Sequence, residues 1–143
     1  MKYFLLILAM ALVGNSAASA QKADKAQIKS TIQQWIAAGD QQSAEAAAPL
    51  MDATFHVYLN QMFGSDKVTT IDKEGYLSML REKKLGGKAR TLKFKRITIA
   101  GNIATVQLEM KSSVLLFNGF IQLAKDKTGN WRIVSDLPSI EKL

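Results

Sequence analysis

A change of period along the chain constrains its fold more than any single residue does. Up to about residue 85, apolar residues recur mainly at helical spacing; from Arg90 onward they alternate. Ile28, Ile32, Trp35 and Ile36 predict a first helix, with Asp24 and Gln27 as a capping pair and Gly39 as its stop. Asp40 is placed to cap a second, alanine-rich helix from Gln41 to about Met51, its last turn loosened by Pro49. Thr54 to Asn60 alternates as a half-buried strand, and Gly64-Ser65 turns the chain into a second one, Lys67 to Ile71. Asp72 caps a third helix, through about Lys84, with Tyr76, Leu77 and Leu80 as its apolar stripe and Gly86-Gly87 at its end.

The remainder reads as strands over 91–100, 103–117, 120–126 and 131–137, divided by Gly101-Asn102, Asn118-Gly119 and Lys127-Thr128-Gly129-Asn130. In 103–117, Ala104, Val106, Leu108, Met110, Val114 and Leu116 share one face, and Thr105, Gln107, Glu109 and Lys111 the other. A strand that long must bend or carry a bulge. The expected fold is therefore α+β: three N-terminal helices on a strongly curved, mainly antiparallel sheet of about six strands. Such a cone commonly encloses a pocket.

Residues 1–20 have the parts of a secretory signal peptide: Lys2, an apolar core from Tyr3 to Val13, and Ala18-Ser19-Ala20 as a cleavage site. That core is too short to span about 30 Å of hydrocarbon, so no stable membrane anchor is expected. Cleavage after Ala20 leaves residues 21–143 as a single domain, periplasmic or secreted. The chain has no cysteine, which excludes disulfides, thiolate catalysis and cysteine-ligated metals. An exported chain of this kind relies on packing alone.

The net charge is +7, concentrated in residues 81–96, where Arg81, Lys83, Lys84, Lys88, Arg90, Lys93, Lys95 and Arg96 face only Glu82. The run reads as a solvated helix end and outer strand face, or as a surface for an anionic partner. An exported chain lacking aromatic residues interleaved for base stacking is a poor match for nucleic acid, so none is expected. His56 is the only histidine; imidazole suits acid–base work, but a strand histidine between apolar neighbours reads more readily as structural. Asp40 and Asp52 read as helix-terminal residues. No metal-ligand spacing, phosphate loop or nucleophile elbow is present, so no metal or cofactor is expected. Glu109 and Arg132 lie on strands and are candidates for a cross-sheet pair.

Residues Ile32-Gln33-Gln34-Trp35-Ile36, Ala38-Gly39-Asp40, Met51-Asp52-Ala53-Thr54-Phe55, Gly75-Tyr76 and Asn130-Trp131-Arg132-Ile133-Val134 follow one another in a characteristic order. This set resembles the nuclear transport factor 2-like superfamily, and within it the exported proteins named "putative lumazine-binding". The resemblance covers 24–138 and implies the cone just described. The superfamily includes ketosteroid isomerases, dehydratases and polyketide cyclases. Laying Asp52-Ala53-Thr54-Phe55 over the isomerase pattern places their catalytic aspartate on Val57, and registering Gly39-Asp40 places their oxyanion-hole tyrosine on Ile32. Neither residue can accept or donate the required proton. The resemblance also implies that Phe55, Val57 and Leu59 line the interior, with His56 and Tyr58 turned away, and that relatives form homodimers through the outer sheet face.

The pocket candidates are Ile32, Trp35, Phe55, Val57, Leu59, Tyr76, Met110 and Phe117. Trp35 and Tyr76 each offer an apolar surface with one hydrogen-bond donor, suited to bracketing a flat ligand. The function expected is non-enzymatic binding of a small apolar or aromatic molecule. The alternatives are an interaction protein using the basic 81–96 surface, or an isomerase- or dehydratase-like enzyme with displaced residues, His56 or Asp52 serving as base.

Overall fold

The computed structural model describes residues 2–62 and 64–143, with side chains described from Ser16 onward. The apolar run Tyr3 to Val13, expected as a signal-peptide core, lies outside the described side chains. Helix α1 runs from Lys2 to Asp40 and buries Ile28, Ile32, Trp35 and Ile36, the stripe expected from the sequence. Asp24 does not begin a helix. It lies within α1, where its carboxylate accepts from Trp131 Nε1 at 3.0 Å and pairs with Lys125 at 2.6 Å. Gln27 Oε1 accepts from the Trp131 backbone N–H at 3.3 Å, so this side of α1 is fastened to the sheet.

The second helix is shorter than the sequence suggests. Gln42 adopts a φ of 55°, and Ser43, not Asp40, caps α2 (Ala44–Ala47) by accepting from Ala46 N–H at 3.2 Å. A 3₁₀ turn containing Pro49 (Ala48–Leu50) follows. Helix α3 (Lys73–Arg81) matches its expected cap and stripe: Asp72 accepts from Gly75 N–H at 2.8 Å, and Tyr76, Leu77 and Leu80 are buried. Beyond it Gly86 has no substitute, because its φ is +76° and a Cβ there would lie 1.8 Å from the Gly39 carbonyl oxygen.

Six strands form one curved sheet in the order β2-β1-β6-β5-β4-β3. They are β1 (Met51–Asn60), β2 (Val68–Asp72), β3 (Thr91–Ala100), β4 (Ile103–Lys111), β5 (Leu115–Lys125) and β6 (Trp131–Lys142). Among the described residues β1 and β6 run parallel and the other neighbouring pairs antiparallel. Bulges interrupt the β1–β6, β3–β4 and β5–β6 ladders, bending the sheet around α1 and α3. Edge strand β3 carries Lys93, Lys95 and Arg96 on exposed positions, and charge together with a bulge is how a sheet edge is kept from pairing with another chain.

One expected strand is two. The hairpin turn falls at Ser112–Val114, where Ser112 Oγ accepts from Val114 and Leu115 N–H groups at 3.3 and 3.0 Å. Asn118-Gly119 lies inside β5 and makes no turn. Gly119 answers a different demand: a Cβ there would sit 2.9 Å from the Leu137 carbonyl oxygen and 3.1 Å from Pro138 Cα. Val114 is consequently exposed, Leu116 pairs opposite Lys111, and Met110 meets Phe117 across the ladder. Strand β6 also continues past 137; Pro138 is accepted because pairing with β1 has ended by then.

Candidate functional site

The concave face of the sheet and the two longer helices enclose the interior. Alternation along β1 turns Phe55, Val57 and Leu59 inward, all buried, and leaves Tyr58 exposed. Val57 and Ile32 therefore both face the interior, and neither brings acid–base chemistry there. Trp35, Phe55 and Tyr76 form an aromatic trio: Trp35 stacks on Tyr76 at 5.5 Å with 24° between planes, and Phe55 meets both edge-on at 5.8 and 5.5 Å. Trp35 and Tyr76 thus stack on each other, leaving no gap for a ring between them. Met110 is buried and Phe117 half-buried, so the eight candidate residues converge as one packed core with Phe117 at its margin.

Three polar features stand in this interior: sequence reasoning missed Asp136 and the Arg90–Asp40 pair, but named the donors of Trp35 and Tyr76. Asp136, on β6, stands opposite Val57 and Ile121, two inward positions, and is 7 % exposed. Its direction follows from the bulge: Ser135 bonds Gln122 on the outer face at 2.8 Å, and the next residue turns in. Burial pushes the Asp136 carboxyl up to about 7, opposed by the nearby Arg90 charge, and no hydrogen bond holds it. Arg90 Nε and N–H donate to the two oxygens of Asp40 at 2.6 and 2.9 Å, and Nη2 donates to the Ile36 carbonyl at 3.2 Å. Its guanidinium also lies 5.7 Å from the Phe117 ring centre. Trp35 Nε1 is buried with no acceptor, and burial, chiefly, raises the Tyr76 phenol well above its ordinary range.

The other candidates sit elsewhere. The ring of His56 lies outside the interior; its Nδ1 is 2.7 Å from the Thr54 carbonyl oxygen, which removes it as a base for an interior ligand. Asp52 belongs to β1, not to a helix end, and its carboxyl is lowered by hydrogen bonds from the Thr54 N–H and hydroxyl. Glu109 pairs with Lys95 at 3.0 Å and Arg132 with Asp126 at 3.0 Å, so they do not pair with each other. Arg132 also donates to the Pro49 carbonyl. Within the basic run, Arg81, Lys84, Arg90 and Lys95 each have an acidic partner, in Glu74, Glu82, Asp40 and Glu109.

The outer face carries two shallow grooves. One, of about 490 Å³, is lined by residues including Thr54, Tyr58, Phe120 and Leu137. Its neighbour, of about 280 Å³, lies over Thr98, Ile103 and Thr105 and shares Gln122 and Val134 with it. Among the described residues no three acidic or histidine side chains converge as a metal site, and no helix is long and apolar enough to cross a membrane.

Helices over the concave face of a six-stranded bent sheet define the nuclear transport factor 2-like class, and solved structures agree. The chain is similar to a nuclear transport factor 2-like protein of unknown function from Silicibacter pomeroyi, with a TM-score of 0.72 and 14% identity over 85% of this chain and 98% of that one. A nuclear transport factor 2-like protein from Shewanella baltica gives 0.71 and 16% over 83% and 94%. A ketosteroid isomerase-like protein from Erwinia carotovora gives 0.63 and 12% over 82% and 95%. Within that class the chain belongs to the family described as "Putative lumazine-binding", which matches residues 23–137. No curated protein matches it.

Proposed function

We propose that this protein is an exported, dimeric small-molecule-binding domain whose site is the aromatic interior between α1, α3 and the sheet. The observation that carries this reading is Trp35 Nε1, buried without an acceptor in an interior that also holds a buried carboxyl, Asp136. Buried polar groups are costly unless partnered, and a ligand would supply the partner. The family description points the same way.

Export is supported by the leader pattern of Lys2, Tyr3–Val13 and Ala18-Ser19-Ala20. The exposed positions 17–23 also lie ahead of Asp24 and Gln27, which fasten α1 to the sheet. Dimerisation is supported by exposed Tyr58, Phe120 and Leu137 on the uncovered sheet face. Native mass spectrometry of the protein purified from its own host tests all three points. The expected result is a dimer of chains beginning at Gln21, with one small molecule per interior. A full-length, empty monomer overturns it.

Asp136 also favours a second reading, a proton-transfer enzyme with its carboxyl moved to β6. That reading requires the recovered ligand to change chemically on incubation, and Asp136→Asn to stop the change.

A further inference from the structure

We propose that one end of the molecule docks reversibly on the surface of an anionic phospholipid bilayer, with Val114 and Leu143 entering the interface and Lys88, Lys111 and Lys142 meeting the lipid phosphates. The topology brings these residues together. Thr91, at the start of β3, stands opposite Lys111 at the end of β4, and Leu115, at the start of β5, stands opposite Lys142. The Leu143 N–H donates to the Val114 carbonyl at 3.0 Å, so two apolar side chains, 41 % exposed at Val114 and 62 % at Leu143, are neighbours at this rim. The three lysines are exposed, and among the described residues none of them is in an ion pair. Of the acids near the rim, Glu82 pairs with Lys84, Glu109 with Lys95 and Asp40 with Arg90; Glu141 stands opposite Leu116 and offsets one lysine. Lys88 is presented on a tethered loop. Gln42 Nε2 donates to the Leu85 carbonyl at 3.0 Å, and the Gly87 N–H donates to the Gly39 carbonyl at 3.3 Å. Docking therefore has little loop ordering to offset.

The combination of side chains selects the partner. Two small apolar contacts give only marginal attachment, and so do a few lysines; together they supply the two signals of a peripheral membrane protein. A soluble polyanion would meet the lysines but leave Val114 and Leu143 in water. A second copy would set lysine against lysine. The rim is separate from the helix-covered interior, so docking does not depend on a bound small molecule.

Co-sedimentation with lipid vesicles tests this, using the protein and its variants purified from their own host. Vesicles of two parts phosphatidylcholine to one part phosphatidylglycerol should bind about ten-fold more tightly than phosphatidylcholine alone, and molar salt should release the protein. Lys88→Glu and Val114→Asp should each weaken binding about ten-fold. Lys127→Glu, in the β5–β6 turn at the opposite end of the sheet, changes the net charge equally and should leave binding nearly unchanged. Trp35 and Trp131 are buried, so a blue shift in the fluorescence of Val114→Trp on the anionic vesicles reports the tip, and one is expected. If Val114→Asp does not fold, that shift decides. No binding to either vesicle, equal binding to both, or equal loss in Lys88→Glu and Lys127→Glu overturns the proposal. Undiminished binding by Val114→Asp, with no blue shift in Val114→Trp, also overturns it and makes the lysines a site for a soluble polyanion.

Discussion

A carboxyl group removed from water and given no hydrogen-bond donor holds its proton. Asp136 is in that position, pushed up to about 7, against 3.8 for an unperturbed aspartate. Between those values the folded state binds more protons than the unfolded chain, so stability falls as pH rises from about 4 and levels off beyond about 7. The full span corresponds to on the order of 4 kcal/mol. The groups that act on Asp136 do not reverse this sign: Arg90 opposes the shift without cancelling it, and the phenol of Tyr76 stays neutral throughout. Carboxylates held low, such as Asp126 at about 2, lose their contribution only as pH falls below the ordinary range, so the two effects occupy separate windows. Urea midpoints from pH 4.5 to 8 should therefore fall for the wild type and stay nearly level for Asp136→Asn. A level wild-type profile would contradict the burial argument. Nothing local in the sequence marked Asp136. Only the bulge between Gln122 and Leu123, a property of two paired strands, decides that it points inward.

At the scale of elements, long-range ties hold the helices to the sheet. Arg90, just before β3, grips the end of α1 through Asp40 and the Ile36 carbonyl, with both ion-pair side chains about 85 % hidden: 13 % and 15 % exposed. Removing one partner leaves the other charge buried, so Asp40→Ala should cost about 3 kcal/mol, read as a lowered urea midpoint. A loss below about 0.5 kcal/mol would class the pair with ordinary surface bridges. Gly119 is the second tie, because β6 passes where its side chain would be. Gly119→Val should cost about 2 kcal/mol or more through overpacking; an unchanged thermal midpoint would mean the strands can part without penalty. These two residues also explain which elements were legible. Helix α3 follows from period and cap, since Asp72 and the Tyr76-Leu77-Leu80 stripe are local, whereas for α1 the period gave the buried stripe but not the start. The β4–β5 turn was not legible, because a serine turn gives a weaker signal than Asn-Gly. The glycine that normally marks a hairpin serves here to admit a neighbouring strand. Arg90 was visible only as one cation in a basic run, its partner lying fifty positions earlier.

For the whole molecule, the two faces of the sheet ask for different partners. The inner face is covered by helices and packed, and most of its core was legible because alternation and helical stripes both point toward it. The outer face has no covering element, yet Tyr58, Phe120 and Leu137 stand 38, 46 and 46 % exposed around a groove of about 490 Å³. Phe120 and Leu137 are cross-strand partners, so their side chains form one continuous apolar ridge rather than scattered contacts. A second copy meeting this face would bury the same ridge against itself, as a two-fold interface requires. Phe120→Glu would then place two like charges at the centre of the contact, while an exposed substitution of this kind costs the isolated fold little. Light scattering should show a wild-type dimer at micromolar concentration and a monomeric Phe120→Glu with a nearly unchanged circular dichroism spectrum. Asp136→Asn, on the opposite face, should remain dimeric. A wild-type monomer would instead leave the outer groove free for another molecule and separate assembly from ligand binding altogether.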